Sequence, residues 1–403
     1  MTLIIRTSTS SGLIALATLA VLACPLSGQE HGVRVQFSRS YGGPGEETGN
    51  VIVAMRAGGY LVAGYSTIDT VDHEFLVRVD SAGDTLWTRT SDEPAEDPAW
   101  DAVTDSAGAV TLVGYTTGHS AIGEDALLTR LSSSGEVEWR RTLGGTGDQL
   151  AWGMSGCPNG DFILAGQTRL NSSLPWSGWI ARVSSAGARR WMRTVEGDAE
   201  IRFFGAAADE RGGAIVAGSR RDRHGIRHAF VVAVDPLGRI VWQKELEAGG
   251  ATVAHQIIRD QHGTLIITGY GDADETATPS QSVARTIREQ PIYWRISPQG
   301  QVRHTTRAPG TADERAIASA PRMGGGFWSV GYRRVRGEED WDIVLSAWDD
   351  ARVEWSRTFG GPAPDRGVAL LPRPDGTILL TGSQNNGAGR GNDLVLIKLA
   401  PAP

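Results

Sequence analysis

Two short hydrophobic patterns take turns along almost the whole chain. The first is a hairpin, complete at residues 125–144 as DALLTRLSSSGEVEWRRTLG. Its opening half, ALLTRL, is mostly apolar, and SSSG at 132–135 supplies a turn in which glycine takes positive φ without a Cβ penalty. The closing half, EVEWRRT, alternates charge with Val137 and Trp139, which predicts a half-exposed strand. The pattern returns with its tryptophan at 87, 191, 242 and 355, while His304 and Phe37 fill the same place in two worn copies. These positions, 37, 87, 139, 191, 242, 304 and 355, are spaced by 50, 52, 52, 51, 62 and 51 residues. Seven copies at a period near 50, one of them stretched, predict a repeat architecture.

The second pattern is an apolar pentad ending in glycine: YLVAG (60–64), VTLVG (110–114), FILAG (162–166), AIVAG (214–218), LIITG (265–269), FWSVG (327–331) and ILLTG (378–382). Near-continuous apolar runs predict strands covered on both faces, and the charged Trp-bearing strands predict outer edges that resist pairing with other chains. Radially packed blades satisfy both. In the second unit the expected strands are A at 99–104, B at 110–114, C at 126–131 and D at 136–141. At the N-terminal end, GVRVQFSRSYGG (32–43) is a D-type strand without its partner; at the other end, NDLVLIKLAPAP (392–403) is a C-type strand lacking its D. The two ends complete each other. The fold expected is therefore all-β, a seven-bladed propeller of four-stranded blades, with the last blade closed by the N-terminal strand.

The pieces AGGYLVAGYST (57–67), FLVRVDSAGDTLW (75–87) and RTFGG (357–361) resemble secreted bacterial propeller repeats, similar to the tryptophan-docked repeats of pyrroloquinoline-quinone-type propellers. The resemblance covers about nine tenths of the chain and implies a fold more than a function. Quinone enzymes of that type have eight blades, a calcium site and an adjacent cysteine pair. This sequence shows none of these, so no cofactor and no metal is expected.

The chain has 403 residues, and one repeat across 33–399 leaves room for a single domain, residues 29–403, with an insertion near 272–291 in blade five. With 39 basic and 46 acidic residues the formal charge is -7, so nonspecific binding to nucleic acid is not expected. Residues 1–28 read as an export signal: Arg6 precedes LIALATLAVLA at 13–23, an apolar run too short to span a bilayer comfortably. Two cleavage sites compete. Val21-Leu22-Ala23-Cys24 resembles a lipobox, which would make Cys24 a lipid anchor, and ordinary signal peptidase would cut after Gly28. Both routes give an exported protein, periplasmic, outer-membrane or extracellular, with membrane contact only through Cys24. Cys157 has no dependable disulfide partner, and a monomer is expected.

The D–A and B–C connections share one face of such a propeller and vary in length and chemistry, which is where function is expected. The short A–B and C–D turns share the other face and read as scaffold. Three features mark the variable face. Counting back 17 or 18 residues from each pentad glycine reaches Glu46/Glu47, Glu96/Asp97, Asp148, Glu200, Asp313/Glu314 and Asp365, with blade five alone lacking an acid. This acidic ring could hold a cation or do acid–base work, or its members could accept backbone N–H groups where the chain enters strand A. Secondly, SRRDRHGIRH (219–228) and YRRVRG (332–337) carry Arg220, Arg221, Arg223, Arg227, Arg333, Arg334 and Arg336, joined by Arg285 and Arg288. Arginine forks suit carboxylates, sulfates and phosphates, although a solvated charged rim reads the same way. His224 and His228 stand four apart, but in a hairpin loop, which argues against a zinc pair. Thirdly, Trp100, Trp152 and Phe204 are equivalent at the start of strand A, and Trp176 and Trp179 are expected in a B–C loop; such rings either stack on sugars or pack blade to blade.

No G-x-S-x-G, H-E-x-x-H, phosphate-binding loop or C-x-x-C occurs. The reading favoured by near-identical repeats is a non-catalytic exported propeller that binds a protein partner or an anionic glycan through its variable face. The alternative is a propeller glycoside hydrolase or polysaccharide lyase using ring acids with His or Arg from blades four to six.

Overall fold

The computed structural model describes residues 32–402 apart from 44, 93, 119–122, 198–199, 273–287, 311, 335–339, 350 and 386–390. Cys24, Arg285, Arg336 and most of the blade-five insertion therefore lie outside the described residues. Seven antiparallel sheets of four strands each make up the chain, every one ordered A, B, C, D in sequence except the last. Blade two has its strands at Ala99–Thr104, Val110–Thr116, Asp125–Leu131 and Val137–Leu143. In blade seven the strands Asp365–Pro372, Ile378–Asn385 and Asn392–Pro401 are completed by Val33–Tyr41 from the other end of the chain. That closing ladder runs from Val33 opposite Pro401 to Tyr41 opposite Leu394. The chain is a seven-bladed β-propeller.

The core lies between blades. The B and C strands alternate their apolar side chains to both faces of each sheet, so Val231 and Ala217 of blade four share one cluster with Ile267, Trp294 and Ile292 of blade five. Leu128 and Val113 of blade two likewise pack with Leu164 and Trp179 of blade three. Burial of such side chains contributes roughly 1.5–3 kcal/mol each, and the polar residues that do enter the pentads, such as Thr268, Ser329 and Thr381, are buried with hydrogen-bond partners.

At the rim, each outer-strand ring docks on the glycine of the next blade's C–D turn. Trp191 lies against Gly238, Trp242 against Gly300, Trp139 against Gly187, Trp87 against Gly135 and Phe37 against Gly83. At the seam, Trp355 lies against Gly32, the residue just ahead of the closing strand. Gly238 shows why glycine is required: its φ is +76°, and a Cβ would sit 2.7 Å from the Trp191 ring. The Trp191 Nε1 then donates to the Pro236 carbonyl at 2.9 Å.

Blade six breaks this rule in an instructive way. Its C–D turn is a residue shorter, closing from the Asp349 N–H to the Arg352 carbonyl at 3.1 Å where blade four spans Asp235 to Arg239 at 2.9 Å. The shortened turn has no glycine, and the outer-strand residue that would dock there is His304. Ring and seat are lost together.

Docking and backbone strain can be separated by three substitutions. Gly225 has φ +84° with nothing near its absent Cβ, and Gly145 has open space around it. Gly145→Ala is expected to change stability by less than about 0.5 kcal/mol. Gly225→Ala should cost about 1–2 kcal/mol from the left-handed backbone alone. Gly238→Ala should cost about 2–4 kcal/mol, because overpacking against Trp191 is added. Denaturant melts of the three proteins give the order; equal losses at 225 and 238 would show that docking adds nothing.

Candidate functional site

Every blade carries a β-bulge at one equivalent place in strand A. The A–B register skips residue 50, 100, 152, 204, 255, 317 or 368 in turn. The bulge presses the strand A backbone onto strand B, so the pentad glycine is structural: a Cβ on Gly114 would overlap the Pro98 carbonyl, and one on Gly331 that of Arg315. Bulges re-aim side chains. Here all seven extra residues point into one central cavity of about 700 Å³, which is lined by the inner strands of all seven blades.

Four consecutive bulge residues are aromatic: Trp100, Trp152, Phe204 and His255. The others are Asn50, Ile317 and Val368. Trp100 and Trp152 meet edge to face at 4.7 Å, and Phe204 stacks on His255 at 5.4 Å with 8° between planes. A second tier comes from the residue after the pentad glycine, with Tyr65 5.9 Å from Trp100 and Tyr115 5.8 Å from Trp152. These rings join neighbouring blades, and all but Tyr115 also wall the channel, so the two readings of Trp100 and Trp152 coexist. Their indole N–H groups are buried without an acceptor among the described residues. The count of 14 residues back from the pentad glycine that reaches Trp100, Trp152 and Phe204 also reaches His255 from Gly269, which the search for Trp and Phe alone passes over.

Two titratable groups line the aromatic arc. Burial pushes Asp101 up to about 6, although its carboxylate accepts N–H groups from Met154 at 2.8 Å and from Ala102 at 2.7 Å. Burial likewise holds His255 down to about 4, against a hydrogen bond to the Ile317 backbone and with added repulsion from Arg315.

The acidic ring is a set of staples. Asp97 accepts the Glu74 N–H of the preceding blade at 3.0 Å, Asp148 that of Glu124 at 3.3 Å and Asp313 that of Glu289 at 2.9 Å. Blade five, which lacks the acid, uses the hydroxyl of Thr252 to accept the Ala229 N–H at 2.8 Å. Asp365 accepts from Gly361 at 2.9 Å and Asn385 at 3.0 Å, and burial raises it to about 6. Glu47 instead takes the Ser66 hydroxyl at 2.8 Å.

The remaining ring acids meet the basic sector. Glu314 stands opposite Arg333 in the ladder and Asp313 opposite Arg334, with contacts of 2.5 and 3.0 Å. Glu200 lies 3.6 Å from Arg221 and 3.0 Å from Arg202, and Arg220 lies 3.3 Å from Glu245. Arg223 reaches the His224 ring at 3.2 Å, and Arg227 is exposed. His228 pairs with Asp222 at 3.3 Å, so the two histidines do not converge. The acidic ring and the basic loops are thus largely one neutralised system.

Trp179 corrects an expectation. It is fully buried inside strand C of blade three, Ser177–Val183, and only Trp176 precedes the strand, with the Arg169 guanidinium 4.1 Å from its ring. The turn face, expected to be plain, holds a cavity of about 300 Å³ between blades five and six, lined by Arg295, Arg303, Arg322 and His262; Arg322 is already paired with Glu354 at 2.7 Å.

The architecture and the channel define the class, a β-propeller with an aromatic-walled central cavity opening among its variable loops. No protein-family model matches the chain, and no curated protein is similar to it in sequence. Solved structures share its fold. The WD40 domain of Neurospora crassa Pan2 aligns with a TM-score of 0.58 at 10% identity, over 94% of this chain and 98% of that one. Hydrazine synthase from Kuenenia stuttgartiensis aligns at 0.54 and 10% identity over 86% and 94%. The polysaccharide lyase Uly1 aligns at 0.53 and 12% identity over 94% of each. At such identities the likeness concerns fold alone.

The depressed His255 has a measurable consequence. An ordinary histidine takes its proton near pH 6.5, whereas the folded protein resists until about pH 4. The unfolded chain then binds more protons between those values, so folding loses stability as pH falls through that window. His255→Phe keeps the stack and removes the titration. Between pH 7 and 4 the wild type should lose about 1–3 kcal/mol more than the variant, the lower end reflecting partial exposure. Parallel stability curves from denaturant melts would contradict this.

Proposed function

We propose that this chain is an exported, non-catalytic binding propeller that takes a carbohydrate ligand at the mouth of its central channel. One observation carries the reading: four consecutive blades spend the same bulge position on an aromatic ring facing one cavity, where packing alone is met by Ile317 and Val368 in blades six and seven. Aromatic faces with polar side chains between them suit the C–H faces and hydroxyls of sugars, and about 700 Å³ falls within the range of ligand cavities, about 300–1,000 Å³. Export is supported by the leader-like residues 1–28, with Cys24 as the proposed anchor if the lipobox is used.

The hydrolase alternative is less favoured. Hydrolysis of a glycosidic bond uses a pair of free carboxyls about 5–9 Å apart, and Asp101 in the channel is held on both oxygens by backbone N–H groups. The basic sector is likewise a weaker ligand site than its composition suggests, since Arg221, Arg333 and Arg334 face their own carboxylates.

A glycan array followed by calorimetry tests the reading. Trp152→Ala should weaken binding of any hit tenfold or more, about 1.4 kcal/mol. Replacing Arg221 and Arg334 by Ala should leave affinity within about twofold. Binding lost in the arginine variant and kept in Trp152→Ala would move the site to the basic loops.

A further inference from the structure

We infer that the channel mouth is built for an acidic sugar, a uronate ring whose carboxylate is received by Arg366. This rests on the channel reading above and deepens it by assigning the charge of the ligand.

Among the described residues most arginines of the variable face are already committed; Arg223 and Arg227 are exposed but do not line the cavity. Arg169 is held by Asp148 at 2.6 Å, Arg202 by Glu200 at 3.0 Å, and Arg333 and Arg334 by Glu314 and Asp313. Arg315 is clamped by Glu289 and by the Tyr332 hydroxyl at 3.2 Å. Arg366 differs. It lies in the inner strand of blade seven, two residues ahead of the bulge at 368, lines the cavity, and is exposed. Among the described residues it makes no ion pair, and its guanidinium stands 5.7 Å from the Tyr332 ring centroid. A charge kept free at the edge of an aromatic cavity is a receptor in waiting; a planar fork matches a carboxylate with two parallel N–H bonds.

The surroundings fix the rest of the ligand. Across the channel from blade seven stand the rings of blades three and four, Trp152 and Phe204, so a ligand with its carboxylate on Arg366 offers its ring toward aromatic faces. On the Arg366 side of the cavity, Asn392 and Ser383 of blade seven and Thr48 of blade one also line the wall and offer polar groups to sugar hydroxyls. Glu46, the other charged side chain at that end of the cavity, makes no ion pair with Arg366 and can accept a sugar O–H. A polyanion with several charges per ring would meet Glu46 and Asp101 as well, so one carboxylate per bound ring fits best. Such a ring can arrive as a free sugar acid or as the terminal residue of a polymer, since a channel mouth accepts an end more readily than the middle of a chain.

The test is calorimetry on the wild type, Arg366→Gln and Arg366→Lys with galacturonic acid, its trimer, and the matching neutral galactose trimer, at 50 and 500 mM salt. The wild type should prefer the acidic trimer at least tenfold, and this preference should shrink at high salt. Arg366→Gln should abolish the preference without altering neutral-sugar affinity or the melting temperature, and Arg366→Lys should restore part of it. Monomer binding as tight as the trimer would assign a free sugar acid; a stronger trimer would assign the chain end. Equal binding of acidic and neutral trimers by the wild type, or an undiminished preference in Arg366→Gln, overturns the acidic-sugar assignment while leaving a carbohydrate channel intact. No binding of any sugar overturns both.

Discussion

The docking of an outer-strand ring on the next blade's turn glycine is the contact on which the architecture depends. A single blade cannot bury its apolar faces alone, and blade-to-blade packing is non-directional unless something fixes the rotation between sheets. The ring and its glycine do that at the circumference, where a small angular error is longest. A half-buried ring contributes only about 1–2 kcal/mol, yet six such contacts set one angle six times. The seam uses the same contact: Trp355 seats on Gly32, the Ala402 N–H donates to the Gly32 carbonyl at 3.0 Å, and Arg357 donates to the Val33 carbonyl at 2.6 Å. Closure therefore needs no disulfide, and Cys157 is buried and unpaired. Once the ring is shut, no blade has an open side.

A fixed angle outside leaves the inner strands crowded, and the bulge resolves the crowding. Seven strands converging on one axis have too little room for a full ladder of side chains on both faces. Putting one extra residue into each strand A twists it and turns a side chain into the channel. The pentad glycine is the cost of that manoeuvre, since strand B must accept a carbonyl where a Cβ would stand. Fold and cavity are thus coupled through a single backbone irregularity: the position most constrained for packing is also the one aimed into the channel.

This coupling explains what could be read in the sequence. The Trp spacing and the pentads determined blade number, strand order and the exchange of strands at the seam, because each reports a local backbone demand repeated seven times. Side-chain partnerships were less legible. Counting back from Gly331 to Glu314 and forward to Arg333 gives offsets of 17 and 2 residues, and the ladder sets these two directly opposite. Treated separately, they looked like an acidic ring and a basic patch; the bulge, which shifts register by one between them, hid that they are a pair. Trp179 was misplaced for a related reason. Its neighbours Ser177 and Gly178 resemble loop residues, but Gly178 is where Phe203 of the next blade packs, so a loop-like composition marks a crowded strand.

Repetition also says where to look for function. Equivalent positions begin with equivalent environments, so a departure from the repeat has no structural cause unless its neighbour departs too. The His304 substitution passes that test as structure, because the glycine seat opposite is missing as well. The aromatic arc at Trp100, Trp152, Phe204 and His255 passes it only in part: the rings pack on one another from blade to blade, but the backbone around them is the same bulge that holds Ile317 and Val368 elsewhere. Arg366 fails it: its equivalents in blades four and six, Arg202 and Arg315, each have a carboxylate in contact, and it has none among the described residues. An aromatic wall on one side of the channel and a free cation on the other give the cavity two unlike sides within a nearly seven-fold frame. The ligand proposed above, with an apolar ring face and an anionic edge, would draw on both.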